Sequence, residues 1–172
     1  MTDRKEIDSW IDQWLRDAHA MEEQAEQMLQ AQARRIENYP DLSARINQHI
    51  EETRSQKQRL ETCMEMRGTS RSMMKDTAGK FTAMMQGFGG MFAGDEVVKG
   101  VMASYAFEHM EIAAYRILAA AARTAGDQST AETCDAVCRQ EEAMAAWLQD
   151  HMQDVTRTYL HRTVAAPDDA KR

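Results

Sequence analysis

Two glutamates three residues apart, Glu108 and Glu111, lie in the middle of an apolar helical stripe in the stretch FEHMEIAAYRILAAAA. Residues at this spacing lie on adjacent turns of one helix face, so both carboxylates point to the same side. A buried carboxylate is costly unless it is paired with a cation or coordinates a metal. The pair therefore indicates either a metal site or an ion-pair network, and the choice depends on the other helices.

Each of the other long helical segments also brings a polar group inward near its middle. When the residues are laid out at about 100° per residue, Glu22 falls within the apolar stripe of the first segment. Glu141 lies at the centre of the stripe in the last segment. The second segment carries His49 and Gln56 in its stripe, with Glu52 at the edge. The anomaly is therefore repeated on all four segments.

Breaks in the hydrophobic pattern divide the chain into four long helices. We expect them from about Glu6 to Asn38, from the NYPDLS break to about Met66, from about Asp95 to Thr124 and from Ser129 to about His161. Asp41 or Ser43 is the expected N-cap after Pro40, and Gly126 the expected C-cap in AGDQST.

Between the second and third helices lie RGTSRS, a short predicted helix within residues 72–86 and the glycine-rich GFGGMFAGD. The predicted fold is all-α: a ferritin-like four-helix bundle of two antiparallel hairpins, joined by a crossover that carries the short extra helix. The bundle is expected over residues 1–163, followed by a disordered tail at 164–172. A plain four-helix bundle is the alternative.

The expected hairpins bring the inward polar groups to one level of the bundle. A turn near Gly126 places Glu111 opposite Glu141, and a turn near Pro40 places Glu22 beside Gln56. Such a cluster can be held in a bundle core by two cations such as iron or manganese, which accept carboxylate ligands. The alternative is a set of rim carboxylates paired with arginines such as Arg45 or Arg59.

Composition excludes several other classes of function. The formal net charge is −7 and no basic stripe stands out, which argues against a nucleic-acid partner. No run approaches the about 20 apolar residues of a membrane span, and the N-terminus lacks the apolar core of a signal peptide, so a cytoplasmic protein is expected. Cys134 and Cys138, one helical turn apart, are interpreted as small core residues rather than a metal pair.

The sequence also resembles the YciE/YciF group of bacterial ferritin-like stress proteins. The resemblance lies in DAHAMEEQAEQML, HIEETRSQKQRLE, FEHMEIAAYRIL and EEAMAAWL, one stretch on each long helix. It implies a ferritin-like bundle with a di-metal centre, and the matching positions are Glu22, Glu52, Glu108, Glu111 and Glu141. Two positions differ from the group: His19 replaces a usual tyrosine, and Ala145 stands where an acidic residue is common.

The predicted function is that of a di-iron or iron/manganese carboxylate protein that reacts with oxygen or peroxide in stress defence. The predicted metal ligands are Glu22, His49, Glu52, Glu108, Glu111 and Glu141, with Gln56 as a further ligand or an orienting group. Tyr115 is expected to pack in the core, or to donate a hydrogen bond to a ligand or be oxidised.

Two further expectations concern partners and competing functions. A homodimer is the expected assembly. The competing function is a non-enzymatic helical interaction module, in which the inward carboxylates form salt bridges and the methionines of FTAMMQGFGGMF offer an adaptable surface. Iron storage would require a cage assembly, which the sequence does not indicate.

Overall fold

The computed structural model of the protein describes residues 2–69 and 96–165, and this part of the chain folds as four α-helices. They are α1 (Thr2–Ala33), α2 (Pro40–Met66), α3 (Glu96–Thr124) and α4 (Gln128–Ala165). The all-α class is confirmed. The predicted short helix within residues 72–86, and residues 166–172 of the predicted tail, lie outside the described residues.

The turn between α1 and α2 differs from the expectation in two respects. Helix α1 ends at Ala33 rather than Asn38, and the N-cap of α2 is Tyr39 rather than Asp41 or Ser43. Pro40 causes the second difference, because it takes the first helical position and holds Tyr39 out of the helical conformation, at φ −123° and ψ 73°. The prediction of a helix break at NYPDLS was right, but the predicted cap was wrong.

The turn between α3 and α4 follows the sequence signals closely. Gly126 has a φ of +75°, the left-handed conformation that glycine adopts without strain. Its N–H donates to the carbonyl of Arg123 at 3.0 Å, which satisfies one of the terminal carbonyls of α3. Asp127 then caps α4, since its Oδ1 accepts the backbone N–H of Thr130 at 3.1 Å. The predicted C-cap is therefore confirmed.

Contacts at both ends show that α1 and α3 are antiparallel. Nη2 of Arg4, near the start of α1, donates to the carbonyl of Ala125 after α3, at 3.1 Å. At the other end, Oγ of Ser104 donates to Oε1 of Gln32 at 2.9 Å. Since α1 is also antiparallel to α2 across a tight turn, α2 and α3 are parallel. The end of α2 and the start of α3 therefore lie at opposite ends of the bundle, as the ferritin-like connectivity requires.

Helices α2 and α4 are also neighbours, and one arginine at each end of the bundle connects them. Arg67 after α2 binds Asp127, with Nη1 2.6 Å from Oδ2, and also Asp12 of α1, with Nε 2.6 Å from Oδ1. At the opposite end, the guanidinium of Arg162 lies 4.7 Å from the ring centroid of Tyr39. Side-chain contacts between different helices therefore stabilise both ends of the bundle.

The apolar core consists of two clusters separated by polar residues. Leu15, Leu60 and Leu118 lie in the cluster towards the Arg67 end, and Ile46 and Leu148 in the cluster towards the Arg162 end. Each buried side chain of this size stabilises the fold by about 1.5–3 kcal/mol. On α2 the inward polar residues His49, Thr53 and Gln56 lie between Ile46 of one cluster and Leu60 of the other, and on α4 Glu141 lies between Cys138 and Met144. Close-packed apolar layers of this kind exclude bulk water.

None of the four described helices combines the length and apolarity that a membrane span requires.

Candidate metal centre

Three of the four helices bring ligand-type side chains to one buried point. His49 comes from α2, Glu108 and Glu111 from α3, and Glu141 from α4. One nitrogen or oxygen atom from each side chain lies within 4.8 Å of the others, and all four residues are buried. The predicted placement of Glu111 opposite Glu141 is confirmed. Carboxylates and an imidazole within this distance can share a metal ion.

The imidazole of His49 joins the two hairpins at this point. Its Nε2 lies 3.2 Å from Oε2 of Glu108 and 3.1 Å from Oε2 of Glu141. Gln56, also on α2, donates from Nε2 to Oε1 of Glu141. The first hairpin therefore supplies nitrogen groups that face carboxylates of the second.

Several of these donor atoms have no hydrogen-bond partner among the described residues. Both carboxylate oxygens of Glu111 are buried in this state, whereas Oε2 of Glu108 and Oε2 of Glu141 face Nε2 of His49. A buried carboxylate oxygen without a partner loses its hydration and gains nothing in return. Hard oxygen donors with one imidazole are the ligands that iron and manganese accept, so the residues present fit such a group.

Glu108 and Glu111 bind protons more tightly than free glutamate does. Burial raises the pKa of Glu111 well above its usual value, and the neighbouring carboxylates raise it further. Burial likewise raises the pKa of Glu108 to about 8, although His49 opposes the shift. Protons therefore compensate part of the charge repulsion when no metal is bound.

His49 responds in the opposite sense. Burial alone would lower its pKa, but its contacts with Glu108, Glu141 and Glu52 outweigh burial and raise the pKa to about 12. Without a metal, His49 is therefore a buried cation among carboxylates. A metal ion that takes up the Nε2 lone pair must displace this proton.

Glu22 of α1 is a neighbour of the group formed by His49, Glu108, Glu111 and Glu141, but it is not a member of that group. Its Oε1 accepts a hydrogen bond from the hydroxyl of Tyr115, which is fully buried. Burial raises the pKa of Glu22 well above its usual value, and repulsion from Glu141 adds to the shift. Of the roles considered for Tyr115, the structure shows two together: the residue packs in the core, and its hydroxyl donates a hydrogen bond to the predicted ligand Glu22.

Glu52, another predicted ligand, also lies outside the group. Its Oε2 lies 2.8 Å from Nδ1 of His49 and 3.1 Å from Nη1 of Arg45, and its Oε1 accepts from Nε2 of Gln48 at 2.8 Å. Burial opposes ionisation, but His49 and Arg45 lower the pKa of Glu52 to about 2. The expected alternative of a rim carboxylate paired with an arginine therefore describes Glu52.

The other inward carboxylates have no such partner. Within residues 2–69 and 96–165, no lysine or arginine forms an ion pair with Glu22, Glu108, Glu111 or Glu141. His49 is the cationic side chain that contacts Glu108 and Glu141. One imidazolium can compensate only one of the four negative charges that these carboxylates carry when ionised.

Two residues adjacent in sequence to the inward glutamates point away from the centre, namely His109 beside Glu108 and Glu142 beside Glu141. His109 is exposed, and its ring packs edge-on against Tyr105 with the ring centroids 4.5 Å apart. Glu142 binds Arg116, with Oε1 2.6 Å from Nη2. The separation of each adjacent pair follows from the 3.6-residue period of the helix.

Neither of the two departures from the YciE/YciF pattern brings a ligand to the group. His19 is buried, but its Nε2 lies 3.1 Å from Oε1 of Glu61 on α2. Ala145 is buried in the apolar cluster. Thr53, which had no predicted role, is fully buried on α2 between His49 and Gln56. A hydroxyl within an apolar stripe was the signal that could have identified it.

The cysteines fit the expectation of core residues. Cys63, Cys134 and Cys138 are free thiols and are buried. Burial raises the pKa of Cys134 to about 12, so the thiolate that binds metals is disfavoured.

Comparison with known proteins identifies the family. A family model described as a domain of unknown function, DUF892, matches residues 7–161. A crystal structure of a protein from Xanthomonas campestris pv. campestris is similar, with 41% sequence identity and a TM-score of 0.77, over 91% of this chain and 97% of that chain. The crystal structure of the E. coli stress protein YciF has 23% identity and a TM-score of 0.73, over 86% of this chain and 95% of that chain. The predicted four-helix bundle and the predicted resemblance are confirmed, and the chain belongs to the DUF892 family.

Proposed function

We propose that this protein binds two iron ions, or manganese or a mixed iron/manganese pair, in the bundle core and reacts with oxygen or peroxide. The observation that carries the proposal is Glu111. Both of its oxygens are buried without a hydrogen-bond partner among the described residues, within reach of His49, Glu108 and Glu141. A cation is the partner that these atoms require.

Charge balance supports two divalent ions rather than one. Glu22, Glu108, Glu111 and Glu141 carry four negative charges when ionised, and each is at most 1% exposed. Two divalent cations neutralise four carboxylates, and neutral His49 can then supply its Nε2 as a ligand. Ferritin-like bundles hold their metal pairs with inward carboxylates and imidazoles of this kind.

The surrounding residues would position the ligands and keep out water. Bound iron or manganese would supply one-electron redox chemistry toward a small oxidant. Tyr115 holds one oxygen of Glu22, and Gln56 holds one oxygen of Glu141, so both carboxylates are oriented before a metal arrives. The two apolar clusters cover the centre on both sides.

The biological setting of the proposal comes from similarity and from the cysteines. YciF is named as a stress protein, and we extend a role in bacterial stress response to this chain. The free thiols suit the reducing cytoplasm, where we place the protein. We also propose a homodimer, with exposed apolar side chains such as Trp10, Met102 and Ile117 as candidates for its interface. Light scattering of the purified protein tests the dimer.

Metal content tests the proposal directly. Protein from cells grown with iron and manganese, or reconstituted anaerobically with ferrous iron, should contain about two metal ions per chain by elemental analysis. The variant Glu111→Gln/Glu141→Gln should lose them. The control Glu51→Gln/Glu142→Gln makes the same charge change outside the centre and should keep them. Wild-type protein that holds no transition metal after reconstitution would refute the proposal.

Reactivity is a separate measurement. The metal-loaded protein should consume hydrogen peroxide or oxygen faster than the metal-free protein and the double core variant. Loaded protein that consumes neither would remove the oxidant chemistry and leave metal binding in place.

The competing function of an interaction module finds less support. Its salt-bridge network would need cationic partners for the inward carboxylates. Glu52 and Glu26 have arginine or lysine partners, whereas within the described ranges the four core glutamates share one imidazole, that of His49, which contacts Glu108 and Glu141. The methionine-rich FTAMMQGFGGMF lies outside the described residues.

A further inference from the structure

Helix α2 presents three fully buried polar side chains to the centre: His49, Thr53 and Gln56. Spacings of four and three residues place them on one face, on successive turns. His49 and Gln56 both reach Glu141, since Nε2 of His49 lies 3.1 Å from its Oε2 and Nε2 of Gln56 donates to its Oε1. Thr53 therefore lies between two residues that contact the same carboxylate.

The hydroxyl of Thr53 differs from those of five other helical threonines. Each of the five donates to the backbone carbonyl four residues earlier, at 2.7–3.0 Å: Thr62, Thr124, Thr133, Thr156 and Thr163. This bond satisfies a threonine hydroxyl within its own helix. The hydroxyl of Thr53 makes no such bond, and no described residue partners it. The hydroxyl therefore remains available to another molecule.

The amide of Gln56 offers a second free group with a fixed orientation. Its Nε2 faces two acceptors, Oε1 of Glu141 and, at 3.3 Å, Oε1 of Gln140. The carboxylate oxygen of Glu141 accepts, so it requires the amide nitrogen, and the reversed amide would place oxygen against oxygen. The Oε1 of Gln56 is therefore the buried atom without a partner. A carbonyl oxygen only accepts, so its missing partner must donate.

We propose that Thr53 and Gln56 bind hydrogen peroxide beside the metal centre, with water in the same position when peroxide is absent. Hydrogen peroxide carries two O–H donors, so it can donate to Oε1 of Gln56 and exchange a second hydrogen bond with Oγ1 of Thr53. Dioxygen has no hydrogen to donate and leaves Oε1 of Gln56 unsatisfied. The inference rests on the proposed function and narrows its oxidant to peroxide.

The first test needs no metal. A high-resolution crystal structure of the metal-free protein should show an ordered oxygen atom within hydrogen-bond distance of Oγ1 of Thr53 and Oε1 of Gln56. The Thr53→Val variant, which has nearly the same shape without the hydroxyl, should lose that atom. A dry site, or a Thr53 hydroxyl bonded to the carbonyl of His49, would overturn the inference.

The second test uses the metal-loaded protein. Thr53→Val should raise the KM for hydrogen peroxide about tenfold, the effect of one lost hydrogen bond, with a smaller change in kcat. Oxygen consumption and metal content should not change, and Thr53→Ser should restore the KM. The matched control is Thr62→Val, which removes an exposed hydroxyl from the same helix. If Thr53→Val does not fold, Thr53→Ala replaces it.

The outcomes separate the inference from the function on which it rests. Absence of metal from the wild-type protein refutes the proposed function, while the metal-free crystal structure still decides the binding position. Loaded protein in which Thr53→Val leaves the KM for peroxide unchanged, or in which oxygen and peroxide consumption fall together, refutes the peroxide position and leaves the metal centre intact.

Discussion

Nδ1 of His49 lies 2.8 Å from Oε2 of Glu52, while the opposite ring nitrogen faces Glu108 and Glu141. A carboxylate that accepts the Nδ1 hydrogen fixes the orientation of the ring and leaves Nε2 for a metal. Arg45 holds the same Glu52 oxygen at 3.1 Å. Glu52, predicted as a ligand from the sequence, is placed to orient His49.

Removal of this orienting group should weaken the metal site without destroying it. Glu52→Ala should lower the affinity for manganese about tenfold, whereas Glu52→Gln should lose less because its amide oxygen still accepts from Nδ1. Titration against a competing chelator measures the affinity. Glu51→Ala, a neighbouring exposed carboxylate, is the control. If Glu52→Ala loses as much metal as Glu111→Ala, Glu52 is a ligand after all.

The inward glutamates should be distinguishable from their neighbours in sequence. Glu111→Ala and Glu141→Ala should each lower the bound metal, because each removes a donor and leaves the other carboxylates uncompensated. His109→Ala and Glu142→Ala should leave metal content unchanged and alter stability by within about half a kcal/mol. Elemental analysis of the four variants decides, and the reverse ranking would contradict the assignment.

The stability of the metal-free protein should depend on pH through the same residues. The pKa of Glu108 is about 8 in the folded protein, against 4.5 for an ordinary glutamate side chain, so its protonation stabilises the fold. This stability is fully present below pH 4.5 and is lost as the pH rises through 8. His49 acts in the same direction, because its stabilisation is present below pH 6.5 and is lost towards 12. Glu52 opposes them only at low pH, where its stabilisation is lost from 4.5 down to about 2.

We therefore expect the metal-free protein to be most stable near pH 5 and to lose on the order of a few kcal/mol by pH 8. Urea unfolding of chelated protein across this range measures the change, and metal-loaded protein should show a smaller loss because the cations replace the protons. A free energy of unfolding that rises from pH 5 to 8 without metal would show that these carboxylates are not protonated in the fold.

Tyr115 should contribute to stability through its hydroxyl. Tyr115→Phe removes the donor to Glu22 within the core and should cost roughly 1–3 kcal/mol, because a buried oxygen loses its partner. Tyr105→Phe is the control, since its hydroxyl donates at 3.0 Å to the exposed Gln149. Thermal unfolding of both variants measures the difference, and equal losses would count against the buried bond.

The 3.6-residue period of the helix explains which residues of the centre could be predicted from the sequence. The inward direction of Glu108, Glu111 and Glu141 follows from their positions in the apolar stripes, and the hairpin turns set their common level. The position of Glu52 does not follow in this way. It lies at the edge of its stripe, and the choice between the centre and the rim depends on the charge of Arg45 two turns earlier.

The ends of the helices were predicted less accurately than their buried faces. Ile36 continues the apolar period of α1, yet it lies beyond the end of that helix at Ala33 and packs, together with Tyr39, in the apolar cluster at that end of the bundle. An apolar residue has the same sequence signature whether it extends a helix or covers the end of a core. Tertiary packing makes that choice, and a single sequence does not display it.

The donor atoms are divided between the two hairpins, with Glu22 and His49 on the first and Glu108, Glu111 and Glu141 on the second. Neither hairpin alone carries the complete set. Maturation of the protein must therefore proceed in a fixed order under the proposed function, with docking of the hairpins before capture of the full metal pair. A shortage of metal in the cell would then leave a docked, proton-compensated protein that can be filled later, rather than an unfolded chain.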